Sequence, residues 1–170
     1  MNNSELLIKT LVSEIEFEKK KIVELNENLK LLKFKNKDLQ IPDKFDISAY
    51  GYIAHNFYNG VENILKNISK VFGNNVDKNQ WHSDLLKKMI IEIRDIRPQV
   101  ISEKVYLKLI DYKNFRHFFR NAYLFELDWG KMEYLVNNLE NIMIDFFDEI
   151  ELFSVKIFKD CELTNRHELF

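Results

Sequence analysis

The sequence predicts an all-α protein, an antiparallel bundle of four long helices plus one short helix. Three observations carry that expectation. Only four Gly and two Pro punctuate the 170 residues, so breakers are scarce. Apolar residues recur three and four apart over long stretches, the period of a helix that buries one face. No alternating strand pattern and no internal repeat is present. The length suits one domain spanning residues 1–170, within the usual range of roughly 100–200 residues.

The first helix is expected from Ser4 to about Lys35, with Ser4 as its amino-terminal cap. Its stripe is Ile8, Leu11, Ile15, Ile22, Leu25, Leu29 and Leu32, and Glu18 is the one break. Such a seam serves either a coiled coil between chains or an antiparallel bundle; the opposite face, with Lys19, Lys20, Lys21 and Lys33, reads as solvated. Residues 36–48, with Pro42, form a connection. Ser48 or Asp46 then starts a second helix, with Ile53, Phe57, Val61, Ile64, Leu65 and Ile68 inward and a stop at Gly73-Asn74-Asn75. A shorter third helix covers about Gln80 to Ile96 and is ended by Pro98, which disfavours helical geometry in the residue before it. Ser102 caps a fourth, running to about Leu127. Asp128-Trp129-Gly130 breaks the pattern, and Asp128 suits the cap of a fifth helix from Lys131 to about Phe158. That helix turns Leu135, Leu139, Ile142, Phe146, Ile150 and Phe153 to one side, and Thr164 to Phe170 read as a frayed end.

Composition narrows the function. Lys plus Arg number 25 against 27 Asp plus Glu, a net charge of −2. A globally basic nucleic-acid coat is thereby excluded, while a local basic face is not. The one cysteine, Cys161, permits neither an internal disulfide nor a Cys-rich zinc site, and is expected to be an inert thiol in a reducing compartment. The start, Met-Asn-Asn-Ser-Glu, lacks the marks of an export signal, and no apolar run approaches the ~20 residues of a membrane span. A cytoplasmic protein without membrane partners is expected. No two His, Asp or Glu residues have convincing metal-ligand spacing with a third, so no metal is expected; no glycine-rich phosphate loop exists, so the chain is not expected to be a nucleotidyltransferase, and no cofactor is expected.

The chemistry concentrates in Phe115-Arg116-His117-Phe118-Phe119-Arg120-Asn121-Ala122-Tyr123. On a continuous helix Arg116, Arg120 and Tyr123 share one face, with His117 and Asn121 as an adjoining i, i+4 pair. Phe115, Phe118, Ala122 and Phe125 would face the core. Two guanidinium groups one turn apart repel unless an anion lies between them. A carboxylate from another helix would make that an internal ion-pair network. A phosphate would make it a nucleic-acid site, because guanidinium forks onto phosphate oxygens. An imidazole beside it can move protons near neutral pH. On the second helix His55 and Glu62 (i, i+7) and Tyr58 and Glu62 (i, i+4) are placed to support these groups, with Glu62 the partner for Arg116 or Arg120. Trp81 and His82 read as a structural corner.

The spacing of Arg116, Asn121 and Tyr123 resembles the Arg-x4-His-x-Tyr motif of HepT-like toxins, helical ribonucleases of the HEPN superfamily. The segments His55-Asn56-Phe57-Tyr58-Asn59-Gly60-Val61-Glu62, Trp81-His82-Ser83-Asp84-Leu85-Leu86, Arg97-Pro98 and Leu127-Asp128-Trp129 are similar to that family as well. The resemblance spans roughly residues 45 to 150. It implies the toxin of a toxin–antitoxin pair, a homodimer whose motif helices face each other across a cleft that cuts RNA, such as tRNA or mRNA, without a metal ion. It implies as partner an MntA-like nucleotidyltransferase antitoxin that silences the toxin by transferring AMP to the motif tyrosine. By position, Arg116 would stabilise the phosphate and Tyr123 would be the modification target. Arg120 would join Arg116 on the phosphate. Asn121 stands where the motif has histidine. An amide exchanges no proton near pH 7, so His117 becomes the proton-transfer candidate and Asn121 an orienting group. The alternative is a non-catalytic HEPN-type subunit that docks a nucleotidyltransferase or its substrate.

Overall fold

A computed structural model describes residues 3–72, 81–121, 123 and 127–167, and their side chains except at 81–84 and 162–167. Among these residues the chain forms five helices: α1 (Asn3–Lys35), α2 (Lys44–Val71), α3 (Trp81–Met89), α4 (Glu103–Phe119) and α5 (Trp129–His167). The all-α bundle is therefore as expected, with α1, α2, α4 and α5 long and α3 short.

Cross-helix contacts give the directions. Glu18 of α1 meets Asn63 of α2 and Lys35 meets Asp46, so the two run antiparallel. Lys19 meets Glu151 and Asn26 meets Glu140, so α1 is antiparallel to α5 also. Tyr50 stacks near Trp129 and Phe72 near Phe153, which makes α2 and α5 parallel. In α4, Ser102 at its head binds Glu149 and Tyr112 binds the Leu135 carbonyl, again antiparallel to α5.

The apolar periods mark the core. The six inward residues expected in α2 and the six expected in α5 are all buried. In α1 Ile8, Leu11, Ile15, Ile22 and Leu29 are buried, while Leu25 and Leu32 are only partly covered. Glu18 breaks the stripe because it sits at the rim, accepting from Lys21 and Asn63.

Caps and ends depart from several expectations. α2 begins at Lys44, after the connection of residues 36–43, and its cap is Asp43, which accepts from the Phe45 and Asp46 amides. Neither Ser48 nor Asp46 starts it. Ser4 lies inside the first turn of α1 rather than before it. Ser102 does cap α4, accepting from the Val105 amide at 3.2 Å. Asp128 caps α5 by accepting from the Gly130 amide, and α5 begins at Trp129 and continues through Thr164 to His167. α3 stops at Met89, well before Ile96. Arg97 folds back there and its guanidinium takes the Lys88 and Ile91 carbonyls, while Ile93 and Arg97 exchange backbone hydrogen bonds around Asp95 at φ 60. Gly73-Asn74-Asn75 and Gln80 lie outside the described residues.

α1 packs tightly on α2 at Gly60. A Cβ there would stand 2.6 Å from Ile22 Cγ1 and 2.8 Å from its Cδ1. Alanine favours a helix over glycine by about 1 kcal/mol. Overpacking a filled core costs about 1–3 kcal/mol. We expect Gly60→Ala to lower stability by about 1 kcal/mol net, read as a fall of about 2–4 °C in Tm; a rise would mean that Ile22 can swing aside.

Candidate functional site

Arg116 lies in the last turn of α4 and points onto α2. Its Nη2 is 3.2 Å from Glu62 Oε2, and its Nε donates to Asn59 Oδ1. Glu62 is buried and also meets Lys66 Nζ at 3.1 Å. The anion expected beside Arg116 is thus supplied, in the monomer, by a carboxylate of the second helix. The Arg116 side chain keeps 17% of its surface exposed, so the guanidinium is held at an edge rather than sealed. Burial of Glu62 without a partner would be costly, and the forked cation together with Lys66 offsets it.

His55 stands one turn before Asn59 on α2. Its Nε2 is 3.0 Å from Asn59 Nδ2, and its ring lies 5.2 Å from that of Phe119 at 35°. Burial, then the nearby Arg116 and Arg120 charges, hold the imidazole below its ordinary pKa. Its Nδ1 is buried and meets no hydrogen-bond partner among the described residues. Tyr58 is buried as well; desolvation and then the Glu62 carboxylate push its phenol well above the usual range. α2 therefore brings His55, Asn59 and Glu62 along one stripe against α4, with Lys66 next on the same helix beside Glu62. Asn59 was not singled out in the sequence, although its i, i+4 step from His55 and i, i+3 step to Glu62 was a signal that could have found it.

The other motif groups are arranged differently from the helical face expected of them. α4 ends at Phe119, not near Leu127, with Arg120 as the C-cap. Asn121 explains the stop. In a continuing helix its backbone amide would take the His117 carbonyl. Instead that amide bonds to the Phe118 carbonyl, and the Asn121 side chain donates to His117 O at 3.0 Å. The side chain substitutes for the backbone, which is why Asn favours helix ends. Arg120, the C-cap, still donates its amide to the Arg116 carbonyl and so stays one turn from Arg116, whereas Tyr123 lies beyond the helix end, 68% exposed. His117, Arg120 and Asn121 are exposed. Phe115 is in the core as expected, but Phe118 is 46% exposed. Phe119 turns inward in its place, over Gly51, where a Cβ would stand 2.6 Å from its ring. Ala122, Phe125 and the side chains of Trp81 and His82 lie outside the described residues.

The arrangement offers one restrained guanidinium, a second on a free helix end and an exposed imidazole between them in sequence. Such a set can hold an anionic oxygen and carry a proton. Among the described residues no three His, Cys, Asp or Glu side chains are grouped to hold a metal ion. No helix among them is long and apolar enough to cross a membrane. A family model described as HepT-like protein matches residues 49–157. No curated protein and no solved structure matches the chain.

Proposed function

The chain belongs to the HepT-like family of the HEPN superfamily, and from that premise we propose that it is a toxin of a toxin–antitoxin pair that cleaves RNA without a metal ion. The observation that carries the reading is Arg116, braced by Glu62 and Asn59 at the α2–α4 seam while Arg120 and His117 stand exposed beside it. Arg116 and Arg120 hold the scissile phosphate. His117 takes the proton of the ribose 2′-hydroxyl. The 2′-oxygen attacks phosphorus, the bond to the 5′-oxygen breaks, and that oxygen takes a proton from water as it leaves, giving a 2′,3′-cyclic phosphate, while His117 returns its proton to the resulting hydroxide. Asn121 orients His117 through the carbonyl its amide caps. Two copies set their motif helices across a shared cleft. Tyr123, exposed past the end of α4, is the acceptor of AMP from an MntA-like nucleotidyltransferase antitoxin.

The test is incubation of the purified protein with total tRNA, with and without EDTA. Fragments in both samples are the expected result; intact RNA in both would overturn the nuclease. Co-expression with a neighbouring nucleotidyltransferase should add the mass of AMP to the peptide containing Tyr123, and Tyr123→Phe should remove that mass and restore toxicity. A silenced toxin whose peptide stays unmodified would refute the AMP step.

One observation favours a second reading. Asn121 replaces the motif histidine and its amide is engaged in ending α4. A HEPN-type subunit that binds RNA or docks a nucleotidyltransferase needs no proton carrier there. Binding to tRNA without cleavage is the result that selects it.

A further inference from the structure

The polar stripe on α2 has an order of its own. A guanidinium only donates, so the atom of Asn59 that faces Arg116 Nε must be Oδ1. The Asn59 amide nitrogen then faces His55 Nε2, and also Asn56 Oδ1 at 3.3 Å. An amide nitrogen donates, so His55 Nε2 must accept. That places the imidazole proton on Nδ1, the nitrogen buried without a partner among the described residues. Three groups are thus locked in sequence, each by the role of the next.

We propose that Asn59 is a positioning residue for Arg116 and that neutral His55 sets the orientation of the Asn59 amide, making an imidazole–amide–guanidinium relay across the α2–α4 seam. Glu62 neutralises Arg116, but a carboxylate contact at one Nη leaves the fork free to swing. The Asn59 contact at Nε supplies the second point that determines its plane. Protonated His55 would present a donor to the Asn59 nitrogen. The amide would then turn over and offer its nitrogen to Arg116, donor against donor, and the guanidinium would be released. The charged groups facing His55 are Arg116 and Arg120 from α4 and its end, with the uncharged Phe119 ring packed on it. Both cations oppose protonation, so the relay is kept intact at neutral pH and opens in acid.

The consequence for catalysis rests on the RNA-cleavage reading, whereas the relay does not, and the two can be separated. Nitrogen-15 NMR of the imidazole rings, with His55→Gln for assignment, should find His55 protonated at Nδ1 and titrating below the ordinary value of about 6.5. The Arg116 Nε–H resonance should shift with the same midpoint, and that shift should shrink at least twofold in Asn59→Ala. Asn59→Asp keeps an acceptor for Arg116 but no donor for His55; there the Nδ1 preference should be lost while Arg116 stays ordered. An Nε2–H form of His55 in the unaltered protein, or an Arg116 resonance indifferent to Asn59→Ala, overturns the relay. In the RNA assay, Asn59→Ala should lower kcat by up to about 100-fold, the scale of a misplaced catalytic group, with KM changed less than twofold. Cleavage at the unaltered rate overturns the positioning role. If the unaltered protein cuts no RNA, the function fails and the NMR result alone decides the relay.

Discussion

On the proposed RNA-cleavage reading, Arg116→Ala is expected to abolish growth arrest when the protein is expressed alone and to lower cleavage of tRNA by about 100- to 1,000-fold, the cost of removing one preorganised donor from a developing phosphate charge. The fold survives. Glu62 loses its fork but keeps Lys66 at 3.1 Å, so the buried carboxylate is not left alone. Arg116 is also partly exposed, and its loss leaves a surface recess rather than a core cavity. A modest change in Tm with a large change in cleavage is therefore the signature. Arg116→Lys should rescue little. An ammonium has no planar fork and cannot reach Glu62 and Asn59 together while presenting a free face to phosphate. An Arg116→Ala protein that stays toxic would show that the seam cation is structural and that the cleavage site lies elsewhere.

The largest stability effect is expected at Arg97. Its side chain is 1% exposed. Nη2 donates to the Lys88 and Ile91 carbonyls, each at 2.9 Å, and Nη1 to the Pro98 carbonyl at 3.3 Å. Its sulfur neighbour is Met89 Sδ at 3.7 Å. No carboxylate pairs with it among the described residues, and burial lowers its pKa. The guanidinium works as a cap: it sits at the carbonyl end of α3, where the helix leaves acceptors unsatisfied and a positive charge is favoured. Arg97→Ala removes those donors and leaves a cavity, at a cost of about 3–4 kcal/mol. For a chain of this size that is a fall of about 6–16 °C in Tm. Arg97→Met separates volume from hydrogen bonding, since it fills the space without a fork. Recovery of most of the loss by methionine would mean that packing, not the carbonyl cage, holds this corner.

His55 ties stability to pH. Its pKa is lower in the folded chain than in the unfolded one, so folding favours the neutral ring. That contribution is whole above the ordinary value of about 6.5 and is lost as pH falls through the folded value. His55→Gln, which keeps an acceptor and has no proton to take up, should flatten this part of the curve of Tm against pH.

The sequence by itself determined the helices and their inward faces, because a helical period is a local property repeated over many residues. Ile53 through Ile68 and Leu135 through Phe153 are legible for that reason, and so is the resemblance around Arg116. The length of α4 was not legible. It turns on a contest for one carbonyl, that of His117, between the Asn121 backbone and its side chain, and periodicity says nothing of which wins. Nor was the inward turn of Arg116. Which of two arginines meets Glu62 depends on how α4 lies across α2, a distance set by Phe57 against Tyr112 and by Phe119 over Gly51. Asn59 became part of the site only through that crossing. A side chain's neighbours on its own helix can be counted along the chain, but its partners on the next helix are chosen by packing.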